Sequence, residues 1–220
     1  MDQFAVDAID ARMMRRCIEL SRIASTQGEF PFAALICAAD GSVIAEAANR
    51  VVRDRDVTRH AELLAVSDAQ KVLGPAGLAG CTLYSNIEPC VMCSFPIRES
   101  RVSRVVFGMR SPMMGGFSRW NVLGDRVLSQ QMPEVFSAAP EILAGLLAEE
   151  AAQAWKDWSP PIWEVIAARG CFEGACPHPH RVAAQRQSAR RAPASPRYHG
   201  AGPMPVARDT GARRAARHRS

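Results

Sequence analysis

The sequence predicts an α/β fold, in which helices pack against a sheet that contains some parallel strands. Short apolar runs of strand length recur between residues 32 and 108, and segments with a helical spacing of apolar residues alternate with them. Strands and helical segments that alternate at these lengths are typical of an α/β sandwich. The 220 residues, of which 48% are hydrophobic, fit one globular domain with additional residues beside it.

The N-terminal part predicts a helix followed by a β-hairpin. Apolar residues recur every three or four positions over residues 6–25, which indicates an amphipathic helix. Strands are predicted at residues 32–38 and 42–48, on either side of the turn Ala39-Asp40-Gly41. The polar and charged residues 50–59 then predict a loop.

The middle part predicts two helices and two strands in alternation. In chain order they are a helix at residues 60–73, a strand at 81–86, a helix at 91–99 and a strand at 102–108. Thr58 is the predicted N-cap of the first of these helices, and Gly74-Pro75 ends it. Pro89-Cys90 turns the preceding strand into the second helix.

The pattern is weaker after residue 108. A helix is predicted at residues 140–158 and a short last helix at residues 163–169. From Cys171 onward the chain is rich in Arg, Ala and Pro without periodicity, which predicts disorder. The predicted organisation is therefore a folded domain at residues 1–170 and a disordered tail at residues 171–220.

The surplus positive charge is confined to this predicted tail. The whole chain has 27 basic and 22 acidic residues, and residues 171–220 hold ten arginines against Glu173 and Asp209. Residues 1–170 therefore hold 17 basic and 20 acidic residues, a net charge of −3. A mildly acidic body weakens the case for nucleic-acid binding, while the Arg-rich tail keeps it open.

The sequence shows no feature of an exported or membrane-spanning protein. The N-terminus lacks the basic and apolar regions of a secretory signal, and no apolar run reaches the roughly 18 residues that a span requires. We therefore expect a cytoplasmic protein. In that setting seven cysteines with one close pair indicate metal or redox chemistry rather than a disulfide framework.

The candidate metal ligands are one histidine and that pair of cysteines. His60 stands at the start of one predicted helix, and Cys90 and Cys93 stand in the first turn of another. Residues i and i+3 share a helix face, and the positive end of the helix favours the thiolate form. One imidazole and two thiolates fill three positions of a tetrahedral zinc site and leave the fourth for water, as in catalytic sites. We predict one zinc ion per chain.

Glu62, two residues after His60, is the predicted general acid and base. The pattern H-x-E followed by P-C-x-x-C is the signature of zinc deaminases that act on nucleobases. In this interpretation Glu62 takes a proton from the water and delivers it to the ring nitrogen and to the leaving amine. An acid in a first helical turn is also favoured by the helix dipole alone, which is the competing explanation.

Other interpretations of the cysteines account for less of the pattern. A thioredoxin-like dithiol explains Cys90 and Cys93 but has no use for His60 and Glu62. A closed structural site needs a fourth ligand, and the spare cysteines, Cys37 and Cys81, lie in apolar strands. A second metal cluster in the tail would have no folded module around it; its members would be Cys171, Cys176, His178 and His180.

The stretch from Leu83 to Gly108, LYSNIEPCVMCSFPIRESRVSRVVFG, resembles the cytidine deaminase-like superfamily. The run Phe30-Pro31-Phe32-Ala33-Ala34 fits the same pattern, and so does Asn49, eleven residues before His60. Within the superfamily the chain resembles bacterial tRNA-specific adenosine deaminases and the related guanine deaminases, over about residues 5–158.

This resemblance implies a three-layer α/β/α sandwich around a five-stranded mixed sheet, with the zinc held between two helices, and a homodimer. It also implies three substrate contacts. Asn49 would hydrogen-bond the base, Ala61 would offer backbone contacts beside it, and Phe30 would line the base pocket. The tRNA-acting members carry an acidic residue in the loop after Gly108, whereas Met109-Arg110-Ser111-Pro112 contains none.

The leading hypothesis is therefore a zinc-dependent hydrolytic deaminase of a free base or nucleoside, which releases ammonia. The alternative keeps the chemistry and makes the substrate the wobble adenosine 34 of a tRNA, flipped into the pocket and converted to inosine. A third hypothesis, from a different class, is a catalytically silent zinc-binding or nucleic-acid-binding module. The presence of Glu62 argues against it.

Overall fold

The computed structural model describes residues 8–74 and 77–173. Most of the predicted tail, residues 174–220, lies outside the described residues, and so do three members of its candidate metal cluster, Cys176, His178 and His180. Over the described ranges no helix combines the length and the apolar character of a membrane span.

The centre of the fold is a five-stranded mixed sheet. Its strands are β1 (Ala33–Cys37), β2 (Val43–Ala48), β3 (Thr82–Ile87), β4 (Arg104–Met109) and β5 (Glu141–Ala144), in the spatial order β2-β1-β3-β4-β5. β1 runs antiparallel to β2 and β3, whereas β3, β4 and β5 run parallel. The mixed pairing that the resemblance implied is confirmed.

Helices cover both faces of the sheet. They are α1 (Ala8–Thr26), α2 (Val51–Asp54), α3 (Ala61–Leu73), α4 (Val91–Glu99), α5 (Arg126–Gln131), α6 (Ala148–Trp158) and α7 (Pro160–Ala168). One hydrophobic core joins the sheet to α1 and α6, and a second joins it to α3 and α4. Neighbouring strand residues enter opposite cores because side chains alternate along a strand, as Leu35 and Ile36 do. The three-layer sandwich is thus confirmed.

Two local predictions in the first half are corrected. The predicted loop at residues 50–59 contains the one-turn helix α2, whose backbone N–H groups at Val52 and Arg53 donate to the carboxylate of Glu29. Thr58 does not cap α3. Its hydroxyl bonds to Asp56, and His60 occupies the cap position in an extended conformation.

The predicted helix at residues 140–158 divides into two elements. Glu141–Ala144 is a strand, and the helix α6 begins only at Ala148. The short apolar run of Ile142 and Leu143 suits a strand or a helix equally. The open edge of β4 decides between them, since residues 141–144 pair with residues 104–107 along it.

Arg98 anchors the long connection between β4 and β5. Its side chain is fully buried on α4, and its guanidinium donates to the carbonyls of Val122, Asp125 and Ser137. It also donates to the hydroxyl of Ser129. Burial lowers the pKa of Arg98, and the negative charge of Asp125 opposes this shift.

Arg98→Ala is expected to lower the free energy of unfolding by about 3 kcal/mol, because it leaves several partly buried carbonyls without donors. Chemical denaturation measures this loss. Arg126→Ala, which removes an exposed arginine from α5 in the same connection, is the matched control and should leave stability nearly unchanged. Equal stability of both variants would contradict the anchoring role.

Candidate metal centre and active site

The start of α3 and the start of α4 bring together the three predicted metal ligands. His60 immediately precedes α3, Cys90 immediately precedes α4, and Cys93 lies in the first turn of α4. Both helices pack on the same face of the sheet, and β3 leads into α4 through Glu88-Pro89-Cys90. Residues that are thirty positions apart in the sequence therefore meet at adjacent helix ends.

The ligand atoms have the separations that a tetrahedral zinc site requires. The two sulfurs are 3.6 Å apart, and Nδ1 of His60 is 3.6 Å from Cys90 Sγ and 3.5 Å from Cys93 Sγ. Ordinary zinc–sulfur and zinc–nitrogen bond lengths in a tetrahedron give about 3.8 Å between sulfurs and about 3.6 Å between sulfur and nitrogen. The donor set therefore fits zinc in both chemistry and distance, and it is the metal-competent cluster of the described residues.

The electrostatics of the cluster favour a negative sulfur at Cys90. The hydrogen bond with Cys93 lowers the pKa of Cys90 to about 4, and the same hydrogen bond, together with burial, raises the pKa of Cys93. The hydrogen bond with Cys90 raises the pKa of His60. A thiolate beside an imidazole binds a divalent cation in preference to a proton, because zinc coordinates the deprotonated sulfur.

Glu62 lies beside the cluster without being part of it. Its side chain is 6% exposed, and its carboxylate accepts from Cys93 Sγ at 3.6 Å and from Ser85 Oγ at 3.4 Å. Burial, together with the negative charge of Cys90, raises the pKa of Glu62 to about 7. A carboxyl group that titrates near neutral pH is suited to both taking up and releasing a proton.

A cavity of about 560 Å³ opens from this cluster to the surface. His60, Glu62 and Cys90 form one side, and the aromatic and aliphatic side chains around them include Phe30, Phe32, Ile87, Met113, Met114, Trp120 and Phe172. This volume lies within the usual range of small-molecule sites, and so does the combination of apolar walls with a few polar groups.

The structure brings two of the three predicted substrate contacts to this cavity. Phe30 is 40% exposed and lines it, and Asn49 lines it from a nearly buried position at the end of β2. Ala61 is the buried first residue of α3, between His60 and Glu62, and its side chain is not part of the cavity wall. Cys37 and Cys81 are buried away from the ligand cluster, as predicted.

The last part of the cavity wall was not predicted from the sequence. Phe172, assigned to the disordered tail, is 8% exposed and packs edge-to-face against Trp155 and Phe32. The backbone of Glu173 exchanges two hydrogen bonds with Arg110, at 3.0 and 2.9 Å. The folded part of the chain therefore continues through residue 173. In the sequence, the aromatic residue Phe172 shortly after Gly170 was the available indication that the fold continues.

The hydrogen bonds of Glu88 to the loop after β4 were also not predicted from the sequence. Its buried carboxylate accepts from the backbone N–H groups of Ser111, Phe117 and Ser118 and from the Ser118 hydroxyl, at 2.6–2.9 Å. Gly115 permits this approach, because a Cβ there would collide with the carboxylate. Glu88 thereby fixes the 111–120 loop, which carries Met113, Met114 and Trp120 into the cavity wall.

Glu88→Ala is expected to lower kcat/KM about tenfold to a hundredfold, because three N–H groups lose their acceptor and the 111–120 loop loses its fixed position. Steady-state kinetics on the preferred substrate measures the effect. Glu99→Ala, which removes an exposed acid from α4, should retain the parent kinetics. Parent-like kinetics of Glu88→Ala would exclude a positioning role for Glu88.

The chain matches one family model and is similar to several proteins of known name. Residues 7–109 match the model of the cytidine and deoxycytidylate deaminase zinc-binding region. The tRNA-specific adenosine deaminase of Haemophilus influenzae is 33% identical over 145 residues, which cover 66% of this chain and 79% of that protein. A tRNA(Ile)-lysidine synthase of Deinococcus deserti is 34% identical over 151 residues, which are 69% of this chain but only 27% of that protein.

Among solved structures, the guanine deaminase of Nitrosomonas europaea superposes with a TM-score of 0.55 at 28% identity, covering 70% of this chain and 86% of that chain.

Proposed function

Since the chain belongs to the cytidine and deoxycytidylate deaminase family, and is therefore a zinc-dependent hydrolase of C–N bonds, we propose that it deaminates a free nucleobase or nucleoside. The observation that carries this proposal is the 560 Å³ cavity, with apolar walls and with Glu62 at the side where the ligand cluster lies. A planar base would pack against the apolar walls, and its exocyclic amine would lie at the polar end of the cavity, beside Glu62 and the ligand cluster.

His60, Cys90 and Cys93 would hold the zinc ion, which supplies Lewis-acid activation of water toward neutral pH when bound. The other steps belong to this chain's own side chains. Glu62, whose pKa is raised by burial, takes one proton from the attacking water and gives it to the ring nitrogen as the oxygen bonds to the ring carbon. It then takes the second proton of the same water and gives it to the amine, so that the C–N bond breaks, ammonia leaves and the oxygen remains as a carbonyl. The burial of Glu62 excludes bulk water from this transfer.

The remaining residues would orient the base. Asn49 hydrogen-bonds the base from the wall, Phe30 packs against it, and the backbone at Ala61 contacts it beside His60.

The segment of Cys171, Phe172 and Glu173 supports a small substrate, because it closes one side of the cavity against the 111–120 loop. The net charge of −3 over residues 1–170 gives no attraction for a polyanion.

A second candidate substrate is the wobble adenosine of a tRNA. The relative from Haemophilus influenzae bears the name of that activity. The exposed Trp120 at the cavity mouth also favours it, since Arg119 lies 5.4 Å from its ring centroid and such pairs stack on neighbouring bases. Two features favour the small substrate. The loop after Gly108 contains no acidic residue, and the body of the chain is acidic.

We also propose a homodimer. Val91, Met92 and Phe95 project from α4 with 37–46% of their surfaces exposed, beside the ligand cluster. Light scattering on the purified full chain tests this state.

The test of function is ammonia release by the purified, zinc-quantified full chain. The substrates are guanine, adenine, cytosine, their nucleosides, and a tRNA with adenosine at the wobble position. Turnover of a free base or nucleoside supports the proposal. Turnover of the tRNA alone would replace it with the second candidate, and inactivity on all substrates would overturn both.

A further inference from the structure

Behind Asn49, on the side away from the catalytic cavity, lies a second buried carboxylate that the reaction does not use. Glu29 is 2% exposed and precedes the cavity residue Phe30. It lines a separate small cavity of about 220 Å³, and Asn49 lines both this cavity and the catalytic one. Asn49 therefore forms the partition between Glu29 and the substrate site.

Three N–H donors converge on the Glu29 carboxylate. Oε2 accepts from Asn49 Nδ2 at 2.9 Å and from the backbone N–H of Val52 at 3.2 Å. Oε1 accepts from the backbone N–H of Arg53 at 2.7 Å. A carboxylate with this set of partners acts only as an acceptor, so the group of Asn49 that faces it must be the amide nitrogen.

This contact fixes which end of the Asn49 amide faces the substrate. Its backbone is also held, because Asn49 N donates to Phe32 O at 2.9 Å. With Nδ2 bonded to Glu29, the Oδ1 atom accepts no hydrogen bond from the described residues and is not among their buried unsatisfied atoms. The oxygen is therefore left to the cavity that Asn49 lines.

We propose that Glu29 is a positioning residue that determines base selectivity by holding Asn49 with its carbonyl oxygen toward the substrate. The site then selects a base that presents an N–H donor to this wall, and it disfavours a base that presents a ring-nitrogen acceptor there. An unpaired polar group in a buried site is what makes such a contact selective. The inference rests on the proposed function, in which Asn49 contacts the base.

Glu29→Gln tests the proposal by changing the chemistry and not the shape. The introduced amide has one oxygen, so its NH₂ group must face either Arg53 N–H or the pair Asn49 Nδ2 and Val52 N–H. Either arrangement weakens the hold on Asn49 and permits its amide to rotate, which directs its NH₂ group into the cavity. We expect KM for the preferred base to rise about tenfold to a hundredfold, with a much smaller change in kcat, because Glu62 and the ligand cluster are untouched. The preference between bases should narrow or invert.

Glu29→Gln combined with Asn49→Asp supplies the rescue. In this pair the introduced amide donates to the introduced carboxylate, whose second oxygen again faces the cavity as an acceptor. Asn49→Asp alone places two carboxylates against each other and should also raise KM. We expect KM of the double variant to return most of the way from the raised values of the single variants to the parent value, a coupling that a double-mutant cycle measures directly.

Glu46→Gln is the matched control. Glu46 lines the same small cavity but pairs with Arg16 and does not touch Asn49, so its loss should leave both KM and base preference unchanged. Thermal unfolding of each variant identifies any loss caused by misfolding alone.

A parent-like KM and base preference in folded Glu29→Gln would overturn the inference and leave the proposed function standing. A double variant that shows only the sum of the two single losses would overturn it in the same way. Inactivity of the parent protein on every base would overturn the proposed function and the inference with it.

Discussion

Glu62→Ala is expected to lower turnover about 10²- to 10⁴-fold while the zinc content stays at the parent level. The variant removes the carboxyl group that would carry the proton to the ring nitrogen and the leaving amine. It removes none of the three side chains whose N and S atoms cluster at 3.5–3.6 Å. Ammonia release and elemental analysis, made on the same protein sample, measure the two quantities.

The control for this variant is Asp68→Ala, which removes an exposed acid from the same helix α3. It should keep both the zinc and the turnover of the parent. If Glu62→Ala released ammonia at close to the parent rate, the proton-transfer role of Glu62 would be wrong. If it lost zinc as well as activity, Glu62 would have to be assigned to metal retention instead.

Cys93→Ser is expected to abolish stoichiometric zinc binding and, with it, all measurable turnover. Cys93 is fully buried in the first turn of α4 and lies within hydrogen-bonding range of Cys90, His60 and Glu62. A serine hydroxyl does not ionise near neutral pH and cannot replace the thiolate that zinc requires. The remaining two ligands are too few to hold the ion at the end of the cavity.

The stability of the parent should respond to chelation, and that of Cys93→Ser should not. Removal of an ion present at a thousand times its Kd costs the folded state about 4 kcal/mol, so a chelator should lower the Tm of the parent markedly. Cys81→Ser is the matched control. Cys81 is a buried cysteine of the same hydrophobic core, outside the ligand cluster, so its variant should keep zinc and the response to the chelator. A chelator-sensitive Tm in Cys93→Ser would contradict the ligand assignment.

The chemistry of this protein was predictable because it depends on short-range spacing. Cys90 and Cys93 are three positions apart at the start of a helix, and His60 and Glu62 are two positions apart at the start of another. Residues three apart share a helix face, so local helix geometry places Cys90 and Cys93 together. The 3.6 Å between their sulfurs agrees with that expectation, whereas the approach of His60 to both sulfurs depends on how the two helix starts meet.

Two of the predictions that failed depended on partners far away in the sequence. Ile142 and Leu143 form a strand only because β4 offers them an open edge, nearly forty positions earlier in the chain. Phe172 belongs to the folded body because Phe32 and Trp155 form an aromatic surface for it. The residue pattern around Ile142 or around Phe172 does not contain that information, because the partner of each lies in a distant segment of the chain.

The sequence by itself therefore determined the α/β class, the candidate zinc ligands and the reaction type, because local periodicity and close spacing encode them. Only the tertiary structure decided the shape of the substrate site. The walls come from six separate segments, and Glu29 and Glu88 act by hydrogen bonds to groups twenty to thirty residues away. In our proposal, substrate choice follows from which donors and acceptors those long-range contacts leave facing the cavity, and this is a property of the folded chain.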